Sequence, residues 1–248
     1  MRKKDTSDMH QIFRPRNRLA KMLEVEAALA RAHAEVGNIP KGAAKEISKK
    51  ASLKYVTPPK IAAARKKTKH GVVAIVQALA DACDGKAGGY VHLGATSNDI
   101  SDTALALQLR DAAEIILEDL ENIKKLLKGP GLAQFKEEIQ RNIDRITSCK
   151  KRLLVGKMTG AVGTQAAFGK KGPRIQRIVM KELGLGTASV TNQVIQRDRH
   201  AEFILNLGIL AGTLEKIARE AGTLNGNLGG IVRSRALPAL ENVSIEGE

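Results

Sequence analysis

NDISDTALALQLRDAAEIILEDLENIKKLLK, residues 98–128, is the stretch whose reading decides the fold. Leu109, Ala113, Ile116, Leu120, Ile123 and Leu127 step by four and three, the spacing that holds apolar side chains on one stripe of an α-helix. A helix of this length needs partners of similar length to bury that stripe. One lies downstream, where Phe203, Leu207, Leu210, Leu214, Ile217, Ala221 and Leu224 repeat the same steps. No run of alternating β-branched residues appears, so the chain reads as all-α: a small N-terminal helical region followed by a long-helix bundle.

The boundaries follow from the punctuation. Gly129-Pro130-Gly131 stops the first long helix, a second is expected over 133–155, and a third over 197–225. Shorter helices are expected over 15–36, 40–51, 58–67 and 71–83, and glycine-bearing links near 84–89 separate them from the bundle. The domain expectation is therefore 1–89 for the N-terminal region and 90–248 for the bundle.

With 248 residues, the chain can bury a substantial core without staples. Its two cysteines, Cys83 and Cys149, lie in unrelated segments with no metal-ligand spacing, which points to a reduced, cytoplasmic protein with two small core thiols. The charged start is not followed by a hydrophobic run, so no secretory signal is expected, and the most apolar stretch, 203–214, is too short to span a membrane. A formal net charge of +15 favours an anionic partner. Two Tyr, four Phe and no Trp are too few for a stacking platform, so a nucleic-acid-binding protein ranks third among the readings. The lysine-rich stretch 65–69 reads as a solvated helix face.

The chemistry gathers just before the first long helix. Tyr90-Val-His-Leu-Gly-Ala-Thr-Ser-Asn-Asp-Ile-Ser-Asp-Thr103 places a histidine, a hydroxyl pair and two acids in a glycine-bearing turn. The unpaired N–H groups of a first helical turn, with hydroxyls beside them, suit a carboxylate or phosphate, although a hydroxyl followed by acids is also what an ordinary helix cap looks like. Asp99 and Asp102 read as first-turn acids that complement the helix dipole. His70, ahead of an apolar helix, reads as an anion contact or a cap. Gln193, Arg197 and Arg199 stand at the start of the third long helix, where a salt-bridged surface turn with Asp198 and Glu202 is the plainer reading. The small residues of Gly160-Ala-Val-Gly-Thr-Gln-Ala166 permit close backbone approach.

The string at 90–103 resembles the first signature region of the fumarase/aspartase superfamily, and within it the adenylosuccinate lyase group. Three further stretches agree in order and spacing: Thr68-Lys-His-Gly-Val-Val-Ala74, residues 160–166, and QVIQRDRHAEF from Gln193 to Phe203. The resemblance covers residues 9–224. It implies a bundle of the fumarase/aspartase type, a carbon-nitrogen lyase that splits fumarate from adenylosuccinate and from the succinyl-carboxamide ribotide, no metal or organic cofactor, and a homotetramer sharing long helices. It assigns His92, Thr96 and Ser97 to the substrate's acidic arm, and His70 and Gln193 to the substrate. Arg197 and Arg199 go to either an anion or a subunit contact. Argininosuccinate and carboxymuconate enzymes share the superfamily, but Thr68-Lys-His70 and Arg197-Asp-Arg-His200 favour the adenylosuccinate group.

The departures are as specific as the matches. Gly71 stands where the group has an acid, and Lys3 and Lys4 stand where an Arg-Tyr pair would meet the nucleotide phosphate. The Thr-His-Gly region, whose histidine is read as general acid, is missing at 128–135, and so is the Ser-Ser-x-Met-Pro-x-Lys-x-Asn loop that supplies the base. The catalytic residues are therefore unassigned, with His70 and His92 as auxiliary candidates. The group's third domain is also lacking. The rival reading is a non-catalytic helical scaffold, or anion-binding remnant, of the same group.

Overall fold

A computed structural model describes residues 6–128 and 130–224. The long helices α6 (Ser97–Leu126), α7 (Ala133–Leu153) and α9 (Asp198–Leu224) lie within three residues of their expected ends at every boundary. The shorter set is α2 (Pro15–Glu35), α3 (Lys41–Lys50), α4 (Pro58–Thr68) and α5 (Gly71–Ala82), again close to expectation. Two helices were not anticipated, α1 (Thr6–Phe13) and α8 (Gly172–Leu183). The β-structure among the described residues is one parallel pair of two-residue strands, β1 (Val155–Gly156) and β2 (Gly186–Thr187), so the all-α reading stands.

The described residues form two compact units, the division falling between α1 and α2, within α6 and at the two ends of the 154–196 segment. One unit holds α1, the later part of α6, α7 and α9. Here Phe203, Leu207, Leu210, Leu214 and Ile217 are buried, and α7 turns Phe135, Ile139, Ile143, Ile146 and Cys149 inward. This is the seam expected from the spacing, and α9 packs along α7. Asn142 of α7 is also buried and donates to Thr213 of α9 at 3.1 Å and to the Glu138 carbonyl at 3.0 Å, so burial leaves its amide paired.

The other unit holds α2 to α5, the first turns of α6, and the segment 154–196 with α8. Its main core joins Met22, Val25, Leu29 and Ala32 of α2 to Ile100, Ala104 and Leu107 of α6 and to Ile175, Val179, Met180 and Leu183 of α8. A second core lies around Leu23, Ile47, Val56 and Leu79, so α2 is buried on two sides. The stop signals act as the chemistry requires: Pro58 opens α4, and Gly184, at φ 66°, ends α8 in the left-handed conformation. Arg65, Lys66, Lys67 and Lys69 are exposed, as expected of a solvated face.

Ile175 is fully buried between α2, α6 and α8. Ile175→Ala is therefore expected to cost roughly 2–5 kcal/mol of stability, measured by urea denaturation, against under about 0.5 kcal/mol for the exposed Lys66→Ala.

Candidate functional site

The turn at 92–97 is built around unusual backbone. His92 adopts φ 62° and Gly94 φ 73°, and a Cβ at Gly94 would lie 3.0 Å from both the Ala167 carbonyl oxygen and Phe168 Cδ1. Glycine is needed at 94 for conformation and space alike. A histidine in the left-handed region costs roughly 1–2 kcal/mol, so something must hold it there.

Two residues of α2 do so. Glu26, 1% exposed, accepts from His92 Nδ1 at 2.6 Å, and His33, seven residues on and so on the same helical face, donates from Nε2 to the Leu93 carbonyl at 2.9 Å. Asn38 donates to His33 Nδ1 at 3.1 Å, which leaves the imidazole of His33 neutral with its proton on Nε2. Burial pushes the pKa of His33 down, only partly countered by the Leu93 carbonyl. Burial also opposes the charged form of His92, yet the hydrogen bond and charge of Glu26, helped by the charge of Asp99, outweigh it and raise the pKa above the ordinary histidine value.

Asp99 sits in the first turn of α6, where the dipole reading placed it, but its role is larger. Its Oδ2 accepts from the backbone N–H of Thr96 and of Gly160, both at 3.0 Å. Its Oδ1 accepts from Thr159 N at 3.0 Å and from Lys157 Nζ at 2.5 Å. Asp99 and Lys157 are both fully buried. Lys157 reaches Thr159 Oγ1 at 3.3 Å as well, and its backbone N–H donates to the Thr103 hydroxyl at 3.2 Å. Sequence reading passed over Lys157 altogether. The only signal was its place beside the small-residue segment that Asp99 binds.

This arrangement is half of a capping box. Asp99 reaches back to the Thr96 N–H, while the hydroxyls of Thr96 and Ser97 and the N–H groups of Ser97 and Asn98 have no partner among the described residues. Two hydroxyls and two N–H donors are therefore left at the positive end of a 30-residue helix.

The segment 160–166 and the loop carrying Gln193 are tied to the same helix end. Gly163 adopts φ 81°, and a Cβ there would lie 1.9 Å from the Thr191 carbonyl oxygen, the close approach its small residues suggested. The hydroxyls of Thr159 and Thr191 lie 2.8 Å apart, and Ile195 N donates to Asp102 Oδ2 at 2.8 Å. Asp102 is thus an anchor for this loop. Gln193 stands exposed between the two anchors.

His70 is placed differently. It is exposed and caps α5, with Nδ1 accepting from Val73 N at 3.4 Å, so of its two readings the cap is the one observed. Arg197 and Arg199 belong to the unit of α7 and α9. Arg199 Nη1 donates to the Arg152 carbonyl at 2.7 Å, and Glu202 pairs with Arg152 rather than with the basic pair. The salt-bridged turn exists with a different partner from the one expected. Lys3, Lys4 and the chain after Leu224 lie outside the described residues. No group of histidine, cysteine and acidic side chains fit to hold a metal occurs among the described residues.

Residues 1–130 and 129–233 match the family described as Lyase. The chain belongs to the lyase family. The two matched ranges meet at Gly129-Pro130, where the resemblance placed the missing Thr-His-Gly text. An adenylosuccinate lyase from Methanocaldococcus jannaschii is 45% identical over 237 residues, covering 86% of this chain and 51% of that protein. The adenylosuccinate lyase of Pyrococcus horikoshii is 43% identical over 244 residues, 88% of this chain and 54% of its own length. An N-acetyl-S-(2-succino)cysteine lyase from Dickeya dadantii is 34% identical over 240 residues, 87% of this chain and 52% of that one. The lyase chain thus spans about half the length of these curated relatives. The solved β-carboxy-cis,cis-muconate cycloisomerase from Acinetobacter calcoaceticus superposes with a TM-score of 0.82 at 29% identity, over 96% of this chain and 64% of that chain.

Removing the Asp99 carboxylate strands a buried ammonium and three N–H groups. Asp99→Ala is therefore expected to destabilise by roughly 3–5 kcal/mol in urea denaturation. His92 also makes stability depend on pH. Because its folded pKa is raised, its contribution is complete below the ordinary histidine value and is lost as pH rises through the raised one. The depressed His33 works in the opposite sense, its contribution being lost as pH falls. The stability difference between the native chain and His92→Asn, in which His33 cancels, is expected to shrink from about pH 5 to about pH 9. An Asn is chosen because it tolerates the left-handed backbone.

Proposed function

We propose that this lyase is of the adenylosuccinate type, eliminating fumarate from adenylosuccinate to give AMP and acting likewise on the succinyl-carboxamide ribotide, in the purine pathway of the cytoplasm. The observation that carries this reading is the open donor set at the start of α6: the Thr96 and Ser97 hydroxyls and the Ser97 and Asn98 N–H groups, beside His92. Such a cradle suits the carboxylates of a succinyl group. Gln193, on the loop anchored to the same helix end, is assigned to the substrate, and exposed His70 to its outer part. Arg199, already bound to the Arg152 carbonyl, and Arg197 are assigned to organising subunit contacts. No cofactor enters the reaction.

β-Elimination needs a base for the proton beside a carboxylate and an acid for the departing nitrogen, while holding the dicarboxylate is a separate task. The residues above supply the holding. The absence of the Thr-His-Gly pattern at 128–135 favours a second reading, an anion-binding remnant without turnover. Each missing proton-transfer group costs about 100- to 10,000-fold in rate. Incubating the chain with adenylosuccinate is expected to release fumarate slowly but repeatedly, beyond one per chain. A flat trace with intact helical circular dichroism would instead establish the remnant.

The partner besides substrate is assigned to further copies of this chain. Ile204, Leu205 and Ile209 are 37%, 69% and 48% exposed on α9, and Gly208 and Gly212 beside them face open space. This second apolar face, opposite the seam on α7, suits another long helix. Light scattering should give a tetramer for the native chain and a smaller species for Leu205→Glu; a native monomer would contradict the assignment.

A further inference from the structure

We propose that Glu26 is a positioning residue for the anion site, holding the His92 imidazolium with Nδ1–H turned to α2 so that Nε2–H is the donor presented to a bound dicarboxylate. The inference rests on the reading of the α6 N-terminus as a dicarboxylate site and adds a residue from a helix outside every signature segment.

The geometry supports it in three ways. The Nδ1 to Oε1 distance of 2.6 Å is that of a charge-assisted hydrogen bond, and Glu26 has almost no exposure while the His92 ring retains 17%. His92 Nε2 has no partner among the described residues, so the nitrogen opposite Glu26 is the one open to a ligand. Glu26 Oε2 is buried and has no hydrogen-bond partner among the described residues, which makes the imidazole the main compensation there for a carboxylate taken out of water. The titratable and charged groups facing His92 are Glu26 of α2, Asp99 of α6 and, through Asp99, Lys157. The ring of His33 on α2 faces the next residue, Leu93.

The ring's position follows from the backbone. His92 holds a left-handed backbone at φ 62°, and the Glu26 bond selects one ring orientation; the neutral ring keeps its proton on Nδ1 and leaves Nε2 an acceptor, so only the imidazolium offers Nε2–H to an anion. With both nitrogens protonated, the imidazolium adds a positive charge beside the Thr96 and Ser97 donors. Burial opposes that charge, but the carboxylates of Glu26 and Asp99 stabilise it more. Anion binding should therefore strengthen as pH falls through the His92 titration.

The test combines imidazole NMR with isothermal titration of fumarate on the full chain. His92→Asn assigns the His92 signal among the five histidines. Glu26→Gln is expected to lower the His92 titration midpoint by about one unit and to weaken fumarate binding roughly tenfold near neutral pH. Glu26→Asp keeps the charge with a shorter reach and should restore both in part. Glu24→Gln, exposed on the same helix, should change neither. A midpoint unchanged in Glu26→Gln overturns the assignment and leaves the dicarboxylate site standing. A shifted midpoint with no fumarate binding by the native chain overturns the dicarboxylate site instead.

Discussion

One buried carboxylate organises this lyase chain. Asp99 accepts from Thr96 N, Thr159 N, Gly160 N and Lys157 Nζ, so a single side chain in the first turn of α6 fixes the turn before the helix and the segment at 157–160 together. An ionised carboxylate without those donors would be strongly disfavoured at full burial, and so would the Lys157 ammonium without Asp99. Each stretch is thus held in place by a group that belongs to the other. Everything at the α6 N-terminus inherits this constraint: the left-handed glycine at 94, the Thr159–Thr191 contact and the loop that carries Gln193.

The Thr96 hydroxyl remains open because the Asp99 N–H, its partner in a closed capping box, donates instead to the Thr96 carbonyl at 3.0 Å. In a closed capping box the hydroxyl of the cap residue would be spent on the helix itself. Here Asp99 satisfies the Thr96 N–H, and the segment at 159–160 takes up the remaining acceptor capacity of that acid. The hydroxyls are left without a partner among the described residues at the positive end of the helix dipole. From the other side, α2 holds the turn through Glu26 and His33, one pairing with an imidazole whose charge is favoured and the other supplying a neutral donor to a carbonyl. The large positive charge of the chain lies mostly elsewhere, on exposed lysines such as those of α4, where it is solvated.

The long helices were legible because their apolar residues recur over many turns, and so was the N-terminal end of α6, where a histidine, a glycine and two hydroxyls stand in one turn. The helix α8 was not, although Ile175, Val179, Met180 and Leu183 repeat at helical spacing. It is only three turns long, and the glycines on either side resemble a loop. Glu26 carried no signal, since one acid in an amphipathic helix looks solvated until the fold places an imidazole against it. Lys157 was hidden for the same reason: a lysine between Gly156 and Met158 is unremarkable until a carboxylate 58 positions away proves to be its partner. Long-range pairing of single charged residues leaves no periodicity to read, whereas packing does.

Amide hydrogen exchange at Thr96, Thr159 and Gly160 tests this organisation most directly, because their N–H groups lie in loops or at a helix start and their partner is Asp99 alone. In the native chain all three should exchange slowly and with a common protection, and in Asp99→Asn all three should speed up together by about 100-fold or more, an opening free energy lower by roughly 3 kcal/mol. Exchange at Gly160 and Thr96 as fast as in an open loop in the native chain, or unaltered by Asp99→Asn, would contradict the account.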